Sequence, residues 1–596
     1  MDRNTIIAIV LSVVVIVAGM TVQTFFMDDM VIPEETVTTA ETGETALNDV
    51  SPAMSGPVIT AVGEEPDSSP FTVDSGAYNV TFNPRGAGIT SILLADHMEN
   101  GKPVELLYNE EGDADAFTMY VGGNEDRPVD EVFPYSIDEV PGIDIKRVVF
   151  TRDFTTPDGK PFTIEKSYAI PGNGEYLIQL AVKVYTPDGS PIPMNISSGM
   201  YTLSVGPQIG PEVVQKNNYD YRRIEVKYTD SAKKSAVKYK DGVYKASDDV
   251  QWISLNGKYF AFIVEPSDTA AIASVSASQE NPENGIYQKN VIYMTREASA
   301  APSVTDYYSF YAGPKVKSDL TIYNNHADNI FGISGMNMDK VVDGSWLSWL
   351  ERILNWVLQL FYKIIPNYGD AIILLTILIK LLLQPLTKKG MDSTAKMSAL
   401  SPKIEEIKKK FPDNPEAQNA AMAKLYKEEK INPMGSCLPM LIQFPIFIAL
   451  YGLLNTNFDL RGSMFIPGWI NDLSIPDTVL NLPFAIPLLG SQIHALPILY
   501  VISMIFSMKI TQSGQNAGSQ AGMMNFMTYG MPILFFFIMY NAPSGLLLYW
   551  STVNLISIGQ QIFVNKKKRA VYAEEIAEKD REKLAKKEAK KRNRRK

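Results

Sequence analysis

Residues 368–386 read YGDAIILLTILIKLLLQPL, and this stretch decides the architecture. Apart from Asp370 near its start it carries one charge, Lys380, in an apolar run about as long as a helix needs to cross roughly 30 Å of hydrocarbon. An ammonium at that depth costs about 2.5–3.5 kcal/mol on insertion scales. Lys380 lies roughly 10 Å along a helix from Lys388, too far for easy snorkelling, so it is expected to face a water-filled cavity. Thr376 and Gln384, four residues before and after it, fall on the same helix face.

Similar runs lie on both sides. Residues 437–454 (CLPMLIQFPIFIALYGLL) form one, and 496–510, extended upstream by Ile493, another. Residues 525–540 and 546–563 follow, joined by Asn541-Ala542-Pro543-Ser544-Gly545, a turn short enough to force an antiparallel helical hairpin. Near the start, residues 6–26 (IIAIVLSVVVIVAGMTVQTFF) give a further span. A cleaved signal is the alternative there, but no clear small-x-small site follows, so residues 1–27 are read as an anchor. Six spans result. Gln443, Asn554 and Gln560 sit inside them, each able to hydrogen-bond a neighbouring helix or to line a polar pocket with Lys380.

Charge orients these spans. Residues 388–436 hold ten Lys against seven Asp or Glu, and the segment after Val564 holds fifteen Lys or Arg against six acids. The net charge of the 596-residue chain is -11, which leaves -23 for the rest, most of it between the first two spans. The 388–436 loop and both termini are therefore expected in the cytoplasm and the acidic region outside. The loop reads as two helices, 389–411 and 415–431, broken at Pro412-Asp413-Asn414-Pro415. The basic segment 565–596 is either a solvated topology determinant or an electrostatic dock for RNA or anionic lipid.

The external region has another texture. Residues 28–70 are acidic and rich in Thr and Pro, a disordered linker. From 71 to 340 short alternating runs such as 78–82 and 176–184 are separated by turns, including Pro-Asp-Gly at 157–159 and 187–189, and predict a large antiparallel β-sandwich. Trp252, Tyr259 and Phe260 either line a sugar site or pack inward as core. In 345–363, Trp346, Trp349, Leu350, Ile353, Val357, Leu360 and Phe361 recur at helical spacing, which predicts an amphipathic helix in the outer headgroup zone.

The mean hydropathy of -0.05 averages these two halves and hides the contrast. Wholesale disorder and a single soluble enzyme domain are excluded. Lone Cys437 rules out an internal disulfide and a Cys-based zinc site, and His97, His326 and His494 are far apart. No phosphate-binding Gly-rich loop occurs, so no cofactor is expected.

Several motifs together resemble the YidC-type membrane protein insertases of the Oxa/Alb superfamily. They are Gln384-Pro385-Leu386-Thr387-Lys388, Ala395-Lys396-Met397, Ser401-Pro402-Lys403-Ile404, Ile431-Asn432-Pro433-Met434-Gly435-Ser436-Cys437-Leu438-Pro439, Ile442-Gln443-Phe444-Pro445 and Ala542-Pro543-Ser544-Gly545-Leu546 through Trp550. The resemblance covers about residues 345–565, and the anchor plus β domain is similar to the Gram-negative form with a periplasmic domain. It implies a five-helix insertase core within 364–564, in a multi-pass protein of the bacterial inner membrane. It also implies a non-enzymatic insertase and chaperone that takes hydrophobic segments of nascent membrane proteins into a cytoplasm-open groove and releases them into lipid, alone or with the Sec translocon. A groove cation, typically Arg in that family, attracts acidic substrate loops; Lys380 stands there, with a point charge in place of a bidentate fork. Thr376 and Tyr549 match positions that contact the passing segment, and Trp550 follows where a second aromatic is common. Also implied are ribosome contacts through the loop and the basic tail (Lys566, Lys567, Lys568, Arg569, Lys590, Lys591, Arg592, Arg594 and Arg595), and partners among membrane lipids, the signal recognition particle and its receptor. The rival readings are a small-solute transporter, which calls for paired midplane charges and repeats that are not found, and a membrane-anchored carbohydrate-binding protein.

Overall fold

The computed structural model describes residues 59–593, with breaks at 100, 109–112, 123–126, 195–198, 207, 212–220, 241, 247–248, 269, 281–288, 343–346, 413, 430–437, 487–488 and 513–524. The anchor expected over 1–27 lies outside the described residues. Two compact units result, one on each side of position 343.

The first unit is β-rich. Alternation of large apolar and polar residues makes Ile145–Thr155, Pro161–Pro171, Leu177–Tyr185 and Ser303–Pro314 long neighbouring strands, and they form the middle of a ten-stranded sheet in which every pairing is antiparallel. One face carries Val148, Phe150, Ile164, Tyr168, Leu180, Val182, Tyr308 and Phe310, all buried. A four-stranded and a five-stranded sheet cover that face. Phe82 of the former packs on Phe150 and Tyr168, with ring centroids at 5.8 and 5.0 Å. Tyr201 of the latter donates to Asp306 Oδ2 at 2.5 Å. Periodicity of two thus fixes which residues meet between layers.

Trp252 is fully buried among Leu177, Ile263, Tyr311, Leu320, Tyr323 and Met338. Phe260 is buried as well and Tyr259 half-buried, so the sugar-site reading loses its aromatic platform. The sheet also starts earlier than composition implied. Thr60–Ala61, inside the stretch expected as linker, pairs with Thr155 and Phe154, and Arg152 Nη1 donates to the Glu64 carbonyl at 2.9 Å.

The second unit is helical: α1 Ser348–Ile364, α2 Tyr368–Ala399, α3 Ser401–Lys410, α4 Pro415–Glu428, α5 Leu438–Thr456, α6 Ala495–Gln512, α7 Met531–Met539 and α8 Ser544–Asn593. Among the described residues, one helix is long and apolar enough to cross a membrane, over Tyr368–Pro385; Gln443–Thr456, Ala495–Ile510 and Phe526–Met539 are shorter apolar helices. α1 buries Leu354 and Leu358 and exposes Trp349, Ile353, Trp356, Leu360 and Ile364, so its outward stripe is apolar.

Three boundaries differ from expectation. α2 runs on to Ala399, so the first part of the loop hairpin is a continuation of the apolar helix and breaks only at Leu400. Ile493 lies in the strand Gly490–His494, not in α6, because it pairs with Leu480 of Thr478–Ile486. α8 continues from the apolar run through the basic segment to Asn593 as one helix.

Candidate functional site

α2, α5, α6 and α8 bring polar side chains into an otherwise apolar bundle. Lys380 is 7% exposed, and its Nζ donates to Ser557 Oγ of α8 at 2.8 Å and to Gln443 Oε1 of α5 at 3.4 Å. Ser557 in turn donates to the Val553 carbonyl at 2.7 Å, so its hydroxyl acts as donor and acceptor together. The ammonium meets neutral oxygens only in these contacts, a weaker match than a carboxylate would give.

Thr376 is buried one turn earlier on α2 and donates to the Ile372 carbonyl at 2.7 Å, a bond within its own helix. Gln384 is exposed, and its backbone carbonyl accepts from Thr387 Oγ1 at 3.2 Å. Two steps of four residues rotate by roughly 80° about an α-helix. That drift carries Gln384 off the face that buries Thr376 and Lys380, so the three do not share one pocket.

Tyr549 and Trp550 are buried near the N-terminal end of α8. The Trp550 ring stacks on Phe447 of α5 at 5.2 Å and lies 6.1 Å from Tyr500 of α6, bracing three helices. Trp550 Nε1 and Ser551 Oγ are buried without a hydrogen-bond partner among the described residues, and Tyr549 Oη is buried beside Gln443. Asn554 Nδ2 donates to Ser503 Oγ at 2.7 Å and ties α8 to α6, a packing role separate from Lys380.

Ser557 escaped the sequence reading. No sequence signal marked it, because a serine in an apolar helix is ordinary and only the packing of α8 on α2 brings it to Lys380.

On the opposite end of α2, Leu400 and Ile404 pack with Met422, Leu425, Tyr426 and Ile576. Lys403 and Lys579 pair with Glu429 at 3.2 and 3.7 Å, and Lys396 Nζ sits 5.1 Å from the Tyr572 ring centre. The basic segment is therefore folded against the hairpin. Lys566 and Lys567 are exposed, Lys568, Arg569, Lys590, Lys591 and Arg592 lie on α8, and Arg594 and Arg595 lie outside the described residues.

Known proteins share this layout. The family model described as "YidC periplasmic domain" matches residues 70–357, and that described as "60Kd inner membrane protein" matches 360–571. A Treponema denticola protein named "Membrane protein insertase YidC" is 36% identical over 589 residues, covering 95% of this chain and 99% of that protein. The chain belongs to the YidC family. A Treponema pallidum YidC is 34% identical over 624 residues, covering 95% of this chain and 99% of its own. The solved structure "Active YidC insertase crystal structure with the first transmembrane domain resolved" is 17% identical at a TM-score of 0.34, covering 85% of this chain and 94% of that one. YidC proteins are inner-membrane insertases with a periplasmic domain, not enzymes, so the β unit is the periplasmic part and the helical unit the membrane part.

Proposed function

We propose that this protein receives hydrophobic segments of nascent inner-membrane proteins in a hydrophilic groove centred on Lys380, and releases them sideways into lipid, alone or with the Sec translocon. The observation that carries the reading is Lys380 Nζ, nearly buried in a membrane helix and bonded to Ser557 and Gln443 rather than to an acid. A cation so placed favours an acidic substrate loop, whose carboxylate offers it a stronger partner than either neutral oxygen. The unpartnered polar groups of Trp550 and Ser551 offer the same segment further hydrogen bonds higher in the bundle. Partition of the apolar segment into lipid supplies the driving force, so no nucleotide or cofactor is needed.

The arrangement implies six spans, comprising the anchor within 1–27 and five in the core, with both termini and the 388–436 hairpin cytoplasmic. α1 lies in the outer headgroup zone, supported by its exposed tryptophans. The basic segment and hairpin dock the ribosome, and the signal recognition particle with its receptor delivers substrates to the same side. Net charges of +3 and +9 on these two segments support that side as cytoplasmic.

Complementation of a depleted strain tests the groove. Lys380→Arg should keep insertion of substrates with acidic extracytoplasmic loops, whereas Lys380→Glu should cut it severalfold. Full insertion by Lys380→Glu would remove the electrostatic role.

A further inference from the structure

The strands Thr478–Ile486 and Gly490–His494 form a two-stranded antiparallel ribbon, between helices that carry the groove. Its base is clamped. Asp477 Oδ2 accepts from Trp469 Nε1 at 2.9 Å and from the backbone amides of Ala495 and Leu496 at 3.1 and 2.8 Å, capping α6. Tyr540 Oη donates to the Gln492 carbonyl at 2.8 Å, and His494 is buried against the Tyr540 ring. The blade above this base is the reverse of a soluble hairpin. Val479, Leu480 and Phe484 are 49, 55 and 62% exposed, and residues 478–494 contain no Asp, Glu, Lys or Arg.

The pairing is irregular at Val479, but residues 479–481 and again 483–485 are exposed in unbroken runs of three, so neither face of this strand is covered by the protein. A protein partner seated on one face would leave the other bare, while lipid surrounds both. The same apolar surface continues into α6, where Ile498, Leu499, Ile502 and Phe506 are exposed. Ile498 begins only roughly 5 Å along the helix from the capped end. α1 stands at the same end of the bundle, since Gln359 Nε2 donates to Asp459 Oδ2 at 2.6 Å and Asn457 Nδ2 to Asn355 Oδ1 at 3.3 Å.

We propose that this hairpin is a second outer-leaflet anchor, its apolar blade resting at the boundary between headgroups and acyl chains; the proposal rests on the extracytoplasmic placement given under Proposed function. An open ribbon edge has unpaired N–H and C=O groups and is excluded from the hydrocarbon core. Pro483 removes one donor from that edge, which suits a shallow seat. Together with α1, the blade fixes the height and tilt of the helices that it joins.

A fluorescent probe tests the placement in the full chain, reconstituted in vesicles with Cys437→Ser as background. NBD is attached at Phe484→Cys or, in a second variant, Leu480→Cys. Ile502→Cys serves as the membrane reference and Lys102→Cys, exposed in the β unit, as the aqueous one. The expected result is loss of most emission at 484 and 480 with lipids nitroxide-labelled high on the acyl chain, less with deeply labelled lipids, and little quenching by iodide. Iodide quenching equal to that at Lys102→Cys would overturn the proposal, and so would shielding from both quenchers, which marks a protein occupant. A probe at Ile502→Cys that lipid fails to quench would instead sink the membrane placement of the bundle, and this proposal with it.

Discussion

Lys166 shows what one residue on the inner face of a strand imposes. It alternates with Ile164, Tyr168 and Ile170 on Pro161–Pro171, is fully buried, and donates to the carbonyls of Phe117 at 2.7 Å and Gly86 at 3.1 Å. Burial lowers its pKa to about 7, and nearby Asp115 offsets this only in part. Between about 7 and the ordinary lysine value of 10.5 the unfolded chain binds more protons than the folded one, so stability rises with pH across that window. Glu265 acts in the opposite sense. Burial raises it to about 8 against the pull of Gln251 and Lys227, so its contribution is lost as pH climbs from about 4.5 to 8. The joint contribution of these two groups is smallest near pH 7–8. In Lys166→Met the rise above pH 7 should shrink by a few kcal/mol between neutral and alkaline pH, leaving the smaller slope from Lys227, whose pKa burial also lowers. Thermal unfolding of the full chain, followed by the β-sheet circular dichroism signal at several pH values, checks this; an unchanged alkaline rise would assign the slope to other groups.

At the scale of elements, the hairpin of α3 and α4 and the distal part of α8 behave as one body. Ile576 closes the apolar cluster around Leu400 and Ile404, and Glu429 holds Lys403 and Lys579. Ile576→Asp places a carboxylate in that cluster and should release the distal helix, so protease cleavage within 401–428 and 570–593 should quicken severalfold while α2 stays protected. Equal cleavage rates would mean the packing contributes little. The sequence made the hairpin legible through Pro412 and Pro415, and the long sheet strands through their strict alternation. It did not reveal that α2 extends to Ala399, because charged and apolar residues at helical spacing look alike in a new helix and in the continuation of an old one. Thr60–Ala61 was hidden for a different reason: a two-residue strand has no period, and its pairing with Thr155 is a long-range fact. Lys380 stood out because a charge in an apolar run carries its own cost. Its partner Ser557 did not, since a serine in a membrane helix is ordinary and only the packing of α8 on α2 aligns it.

For the whole molecule, charge and hydropathy divide the work. An acidic β unit faces the periplasm, a bundle with exposed Leu, Ile and Phe meets lipid, and the segment after Val564 carries a surplus of nine positive charges. Contacts of such a segment with ribosomal RNA release counterions, so their strength falls with salt. Removing residues 566–596 should weaken co-sedimentation with ribosomes severalfold at low salt and flatten its salt dependence; unchanged co-sedimentation would leave the segment as a topology determinant. Photo-crosslinking probes the groove itself. A photoreactive amino acid at Tyr549, and in a second variant at Gln384, is challenged with ribosome-stalled nascent chains of increasing length that carry one apolar segment and an acidic leading loop. Crosslinks should appear first at Gln384, nearer the end proposed as cytoplasmic, and move to Tyr549 as the chain lengthens. Absence of crosslinks from both positions, in protein shown to be folded and membrane-embedded, would contradict passage of substrate beside Lys380.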